Sequence, residues 1–160
     1  ELSGAASPRA NALRDIFEHA GVEASVSEDI RSALWEKLLL VSSWAGLSAL
    51  SRSPMGELLA QPELCALVEH SIDEGIAVGK AMNYKLPNEL KARMWAFYEG
   101  LPAETTASMT RDILAGKASE LDAWNGAIVR FGREVNVATP VHEFTYHTLL
   151  PMERRARTNR

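Results

Sequence analysis

The chain has 160 residues, a formal net charge of −4 and 46% hydrophobic residues, which describes about one domain with enough apolar side chains for a core and excludes a disordered chain. Its longest uncharged stretch, Leu38 to Ser51, is too short and too serine-rich to span a bilayer, which takes roughly 20 apolar residues, so no membrane partner is expected. A single cysteine, Cys65, excludes an internal disulfide or thiolate metal cluster and reads as a core residue in a reducing, cytoplasmic setting.

Glu1 stands where a methionine would, and "ELSGAASPRANALRD" has no basic-then-apolar leader, so the start reads as a cut or processed end. "SPRANALRDIFEHAG" follows as a helix with Ser7 as N-cap, Pro8 in the first turn and Gly21 as its stop. "VEASVS" alternates apolar and polar residues and predicts the one strand, Val22 to Val26, whose backbone groups need a sheet the chain does not supply. From "SEDIRSALWEKL" the period is helical again to about Ala45 or Leu50, with Ser27 and Asp29 suited to its N-terminus. Pro54 and Pro62 start two further helices, "SPMGELLA" and "QPELCALVEHSIDEGIAVGKAM". In the second, Gly75 and Gly79 fall one turn apart and predict close helix packing, because neither belongs to a phosphate-binding G-x-G-x-x-G. Next come "LPNELKARMWAFYEG" ended by Gly100, "TTASMTRDILAGK", "SELDAWNGAIVRFGREVN", and a last helix from Pro140, "TPVHEFTYHTLLPME". Seven or so helices with short connections predict an all-α bundle. Four arginines crowd the terminal "ERRARTNR", leaving an acidic body that argues against a nucleic-acid partner. That tail reads as a frayed, solvated terminus.

Lys37 is the residue that stands out. On a helical wheel it shares a face with Ile30, Ala33, Val41 and Trp44, about 110° from the polar side made by Asp29, Ser32, Glu36 and Ser43. A buried ammonium loses its proton unless a carboxylate faces it; alternatively the stem snorkels to the surface. Ser108 and Glu120 allow equally plain roles, a helix cap and a first-turn acid, with Ser119 and Asp122 resembling a capping box. His142 and His147 are five apart, which is not the H-E-x-x-H of a zinc helix, and no metal site is expected. Neither a G-x-S-x-G elbow nor a cysteine beside a histidine is present.

Three segments, "DIRSALWEKLL", "SMTRDILAGKASELDAWNGAIVRFG" and "VNVATPVHEF", resemble in order and spacing the helical C-terminal domain of the ketopantoate reductase (2-dehydropantoate 2-reductase) family. The opening "ELSGAASPRANALRDIFEHAGVEASVSEDI" resembles the stretch by which that family's nucleotide domain enters the helical one. The resemblance implies three parts. Residues 1–27 close a nucleotide-binding Rossmann domain as a helix–strand remnant, 28–153 form the helical substrate domain, and 154–160 are a basic tail. It further implies NADPH-dependent reduction of ketopantoate to pantoate on the route to pantothenate. Lys37 matches the general acid, Ser108 a substrate contact, and Glu120 the glutamate that positions lysine, substrate and cofactor ribose. The family pattern places substrate-binding asparagines four and eight residues after the lysine, where this chain has Val41 and Ala45, and commonly another where it has His142. A lost amide costs a polar substrate about 1–3 kcal/mol per unpaired group, so a paralogue acting on a more apolar 2-oxo acid fits as well. Without a G-x-G-x-x-G the chain alone is expected to be inactive, with the nucleotide-binding domain as its partner. A homodimer is compatible with the resemblance. The rival reading is a non-catalytic helical module for dimerisation or ligand binding.

Overall fold

The computed structural model describes residues 7–158, and among them eight helices form and no strand. α1 is Pro8–His19, α2 Ile30–Ser51, α3 Met55–Ala60, α4 Pro62–Ala81, α5 Leu90–Glu99, α6 Ser108–Leu114, α7 Asn125–Glu134 and α8 Pro140–Thr158. No helix of the described residues is long and apolar enough to cross a membrane.

Local chemistry accounts for both ends of α1 and for the start of α2. Ser7 Oγ accepts from Ala10 N at 3.1 Å, Pro8 occupies the first turn, and Gly21 follows at φ +76, a conformation that costs a residue with a Cβ. The Asp29 carboxylate caps α2, accepting from the Ser32 amide at 3.1 Å and the Ser32 hydroxyl at 2.8 Å. These two bonds, the hydroxyl's first, hold its carboxyl below the usual range.

α2 is the axis of the bundle and packs against α3, α4, α6, α7 and α8. Residues 42–49 are all buried, so a helix that is apolar nearly all round suits its C-terminal half. α4 packs closely on it, as its glycines predict. A Cβ on Gly75 would collide with the Leu39 side chain, and one on Gly79 with the Trp35 indole. Trp35 Nε1 instead donates to the Gly75 carbonyl at 3.0 Å. One apolar cluster joins Leu39, Leu47, Leu58, Ile72, Val78, Met94 and Tyr98; a second joins Ala45, Ala49, Met109, Ile113, Leu121 and Leu149.

Four expectations need revision. Residues 22–27 have no regular structure, since an isolated strand has no neighbour to complete its hydrogen bonds. Helix does not begin at Ser119, which has no regular structure; residue 120 is a bend, 121–124 form a turn and α7 starts at Asn125. The Ser119 amide and hydroxyl are taken by Glu153 of α8 at 3.0 and 2.7 Å, so they do not cap a helix. α8 carries Pro151 inside it and runs to Thr158, so Arg154, Arg155 and Arg157 are helical rather than frayed; Arg160 and Glu1 lie outside the described residues. Cys65 is half-buried on α4, not in the core.

α1 buries none of its residues, and Leu13, Ile16 and Phe17 on it are exposed. The apolar residues of the following segment and of the start of α2, Val22, Val26, Ile30 and Leu34, are exposed too.

Candidate active site

Lys37 projects from the N-terminal half of α2, and its side chain is exposed. The face predicted to bury it is an open one: Ile30 is 49% and Leu34 58% exposed, Ala33 is exposed and Val41 half-buried, with only Trp44 enclosed. Among the described residues no carboxylate pairs with Lys37, and Glu120 is not its partner. Beside it, between α2 and α5, lies a groove of about 330 Å³ lined by Glu36, Lys37, Leu40, Leu90, Met94 and Phe97. Arg93 stands at its edge, 3.7 Å from the Glu36 carboxylate. The surroundings are thus two cations, Lys37 and Arg93, and one carboxylate, Glu36, over apolar surface, a net positive rim suited to a small anion with a hydrocarbon part.

Ala45, two turns beyond Lys37, is fully buried and offers no open surface. It is where the distant segments meet α2. Its carbonyl accepts from Thr110 Oγ1 at 2.9 Å, which seats the α6 segment carrying Ser108. Its side chain shares a cluster with Met109, beside Ser108, and Leu121, beside Glu120. Ser108 and Glu120 themselves are exposed. Ser108 is the first residue of α6 but not its cap, a place held by Ala107 without a side-chain bond. No hydrogen bond or ion pair joins Lys37, Ser108 and Glu120 to one another among the described residues. The fold brings the segments of Ser108 and Glu120 to α2 at Ala45, two turns beyond Lys37, and leaves all three polar side chains exposed.

His142 has no part in an open surface. It is fully buried, with Nε2 3.1 Å from the Ser71 carbonyl and Nδ1 3.0 Å from Asn125 Nδ2. A carbonyl can only accept, so Nε2 carries the hydrogen and Nδ1 accepts from the amide; the ring is the neutral Nε2–H tautomer. Burial pushes its pKa down to about 4, against the Ser71 bond. Asn125 also donates to the Ser42 carbonyl at 3.2 Å, tying α7 to α2. Glu74 of α4 accepts from the amides of Val141 and His142 at 2.8 and 3.1 Å, an anion on the N-terminus of α8. Burial raises its carboxyl above the usual range, opposed by those two bonds.

The arrangement that sequence reading passed over is at the other end of α8. Glu153, 3% exposed, accepts from Ser119 N, Ser119 Oγ and Arg157 Nε. A signal was present in E-x-x-x-R, the one-turn spacing that faces a carboxylate to a guanidinium. Among the described residues no three His, Cys, Asp or Glu side chains converge as metal ligands.

Comparison with known proteins places these features in context. The family model described as "Ketopantoate reductase PanE/ApbA C terminal" matches residues 29–153. A 2-dehydropantoate 2-reductase of Caulobacter vibrioides is 36% identical over 136 residues, 84% of this chain and 46% of the relative. One from Mesorhizobium japonicum is 31% identical over 160 residues, 100% of this chain and 47% of the relative. The chain therefore spans about half the length of the curated relatives it matches. A ketopantoate reductase crystal structure from Ralstonia eutropha superposes with a TM-score of 0.86 at 30% identity, covering 94% of this chain and 50% of that one. The chain belongs to the ketopantoate reductase C-terminal domain family.

Proposed function

We propose that this chain is the substrate-side domain of a nicotinamide-dependent 2-oxo acid reductase, with Lys37 as the general acid. The observation that carries the reading is Lys37 itself, an ammonium unpaired among the described residues on an open apolar helix face, in a family whose named relatives are reductases. When bound, NADPH supplies the hydride for the ketone carbon. As that carbon becomes tetrahedral, negative charge develops on the former carbonyl oxygen. Lys37 Nζ stabilises that charge and gives its proton to the oxygen, leaving a 2-hydroxy acid. Ser108 offers the substrate a hydroxyl. Glu120 offers the cofactor ribose an acceptor, while the dinucleotide's phosphates need the glycine-rich loop of a nucleotide-binding half.

The substrate side points away from a polar acid. Val41 is apolar, Ala45 is buried, and the groove beside Lys37 is floored by Leu40, Leu90 and Met94 with Phe97 48% exposed at its wall. A 2-oxo acid with a branched aliphatic or aromatic side chain therefore suits the groove better than one whose side chain carries a hydroxyl, as ketopantoate does.

The test is to express the complete reading frame that contains this domain and follow NADPH oxidation with a panel of 2-oxo acids including ketopantoate. Turnover of at least one acid is expected, and Lys37→Ala should lower kcat by ~10²- to 10⁴-fold. Undiminished turnover in Lys37→Ala would sink the acid role, and no turnover of any acid would favour a non-catalytic helical module.

A further inference from the structure

We propose that Glu153 and Arg157 are positioning residues for Glu120, acting through Ser119; the inference rests on the reading of Glu120 as a cofactor contact. Glu120 lies in a bend between α6 and α7, where the backbone has no helix to hold it. The residue before it is nonetheless held at every polar group. Ser119 N donates to Glu153 Oε2 at 3.0 Å and more weakly to Oε1 at 3.2 Å, Ser119 Oγ donates to Oε2 at 2.7 Å, and the Ser119 carbonyl accepts from Arg157 Nη2 at 2.9 Å. Arg157 Nε in turn pairs with Glu153 Oε1 at 2.6 Å, so carboxylate and guanidinium orient one another.

The carbonyl bond has a particular consequence. The Ser119 C=O and the Glu120 N–H lie in one planar peptide unit, so Arg157 sets the tilt of the plane from which Glu120 departs. The following bonds extend the control: Ser119 Oγ accepts from Leu121 N at 3.2 Å, and Trp124 N donates to the Glu120 carbonyl at 2.9 Å. Glu120 is thus bracketed on both sides by fixed backbone while its own side chain stays exposed. A carboxylate meant to meet a ligand can be aimed this way without being spent on an internal partner. Glu153 is buried while Arg157 is about half exposed, which places the anchor inside and the adjustable member at the surface.

The experiment uses protein from the complete reading frame, with NADPH affinity read by its fluorescence alongside KM and kcat, and with melting temperature as the folding control. Glu120→Gln should weaken NADPH binding. Ser119→Ala, Arg157→Met and Glu153→Gln should each weaken it roughly ten-fold, the loss expected when one hydrogen bond of ordinary strength is misplaced. Ser119→Thr, which keeps both donors, should restore wild-type affinity. The combination Ser119→Ala with Glu120→Gln should bind no more weakly than Glu120→Gln alone, because the clamp has nothing left to aim. Wild-type affinity in folded Ser119→Ala and Arg157→Met, with Glu120→Gln weakened, would overturn the inference and leave the clamp a structural clasp. Wild-type affinity in Glu120→Gln would overturn the cofactor reading and the inference together. If Glu153→Gln fails to fold, the other two variants decide.

Discussion

The placement of Lys37 separates its chemistry from its structure. Because it is exposed and unpaired among the described residues, Lys37→Ala should change the stability of the 160-residue chain by no more than about 0.5 kcal/mol in urea titration. A larger loss would mean that the side chain contributes to packing. His142 is the opposite case, enclosed and committed to its neighbours. Its folded pKa of about 4 lies below the ordinary 6.5, so between these values the unfolded chain binds a proton that the folded chain refuses. Its contribution is complete above pH 6.5 and lost as pH falls toward 4, on the order of 3 kcal/mol in all. Glu74, whose carboxyl is raised, acts with the opposite sign and offsets part of this. Urea midpoints should fall between pH 7 and pH 4.5, and His142→Asn should flatten that fall. An unchanged slope in that variant would assign the acid sensitivity elsewhere.

At the scale of elements, the contact of α2 with α4 depends on side chains that are absent. A Cβ at Gly79 would lie 2.7 Å from both Leu86 Cδ1 and Trp35 Cδ1, besides meeting the indole nitrogen. Overpacking of this kind costs typically 1–3 kcal/mol, while alanine returns up to ~1 kcal/mol in helix propensity. Gly79→Ala should therefore be destabilising by about 1 kcal/mol in equilibrium unfolding, and a stabilised variant would show that α4 can shift freely. α1 is the contrasting element. It has sound caps and a regular helix but buries no residue against the bundle. A chain beginning at residue 28 should keep the calorimetric melting temperature of the 160-residue chain to within about 2 °C. A larger drop would reveal support that the exposed positions of Leu13, Ile16 and Phe17 do not suggest.

For the whole molecule, exposed apolar residues run from Leu13 on α1 through Val22 and Val26 to Ile30 and Leu34 at the start of α2. Exposed apolar side chains following one another along this stretch offer a surface that an apolar probe can meet. A hydrophobic dye should bind the folded 160-residue chain, and the pair Ile30→Ser and Leu34→Ser should reduce its fluorescence without lowering the melting temperature. Most helices were legible from sequence alone, because caps, prolines, glycines and the 3.6-residue period act over a few neighbours. Gly75 and Gly79 announced their close packing for the same reason. The period also showed that Lys37 shares a face with Ile30, Ala33 and Val41. Whether that face is covered depends on residues far away in the chain, and here it is open. The non-helical stretch 119–124 was misread as helix because the partner that engages Ser119 is Glu153, 34 residues on. Ala45 stands where the resemblance puts a substrate contact, and only the packing of α6 and Leu121 shows that it is covered in this domain. Local rules determined which residues are helical, while long-range packing decided which of their faces meet water, and with that where chemistry can occur.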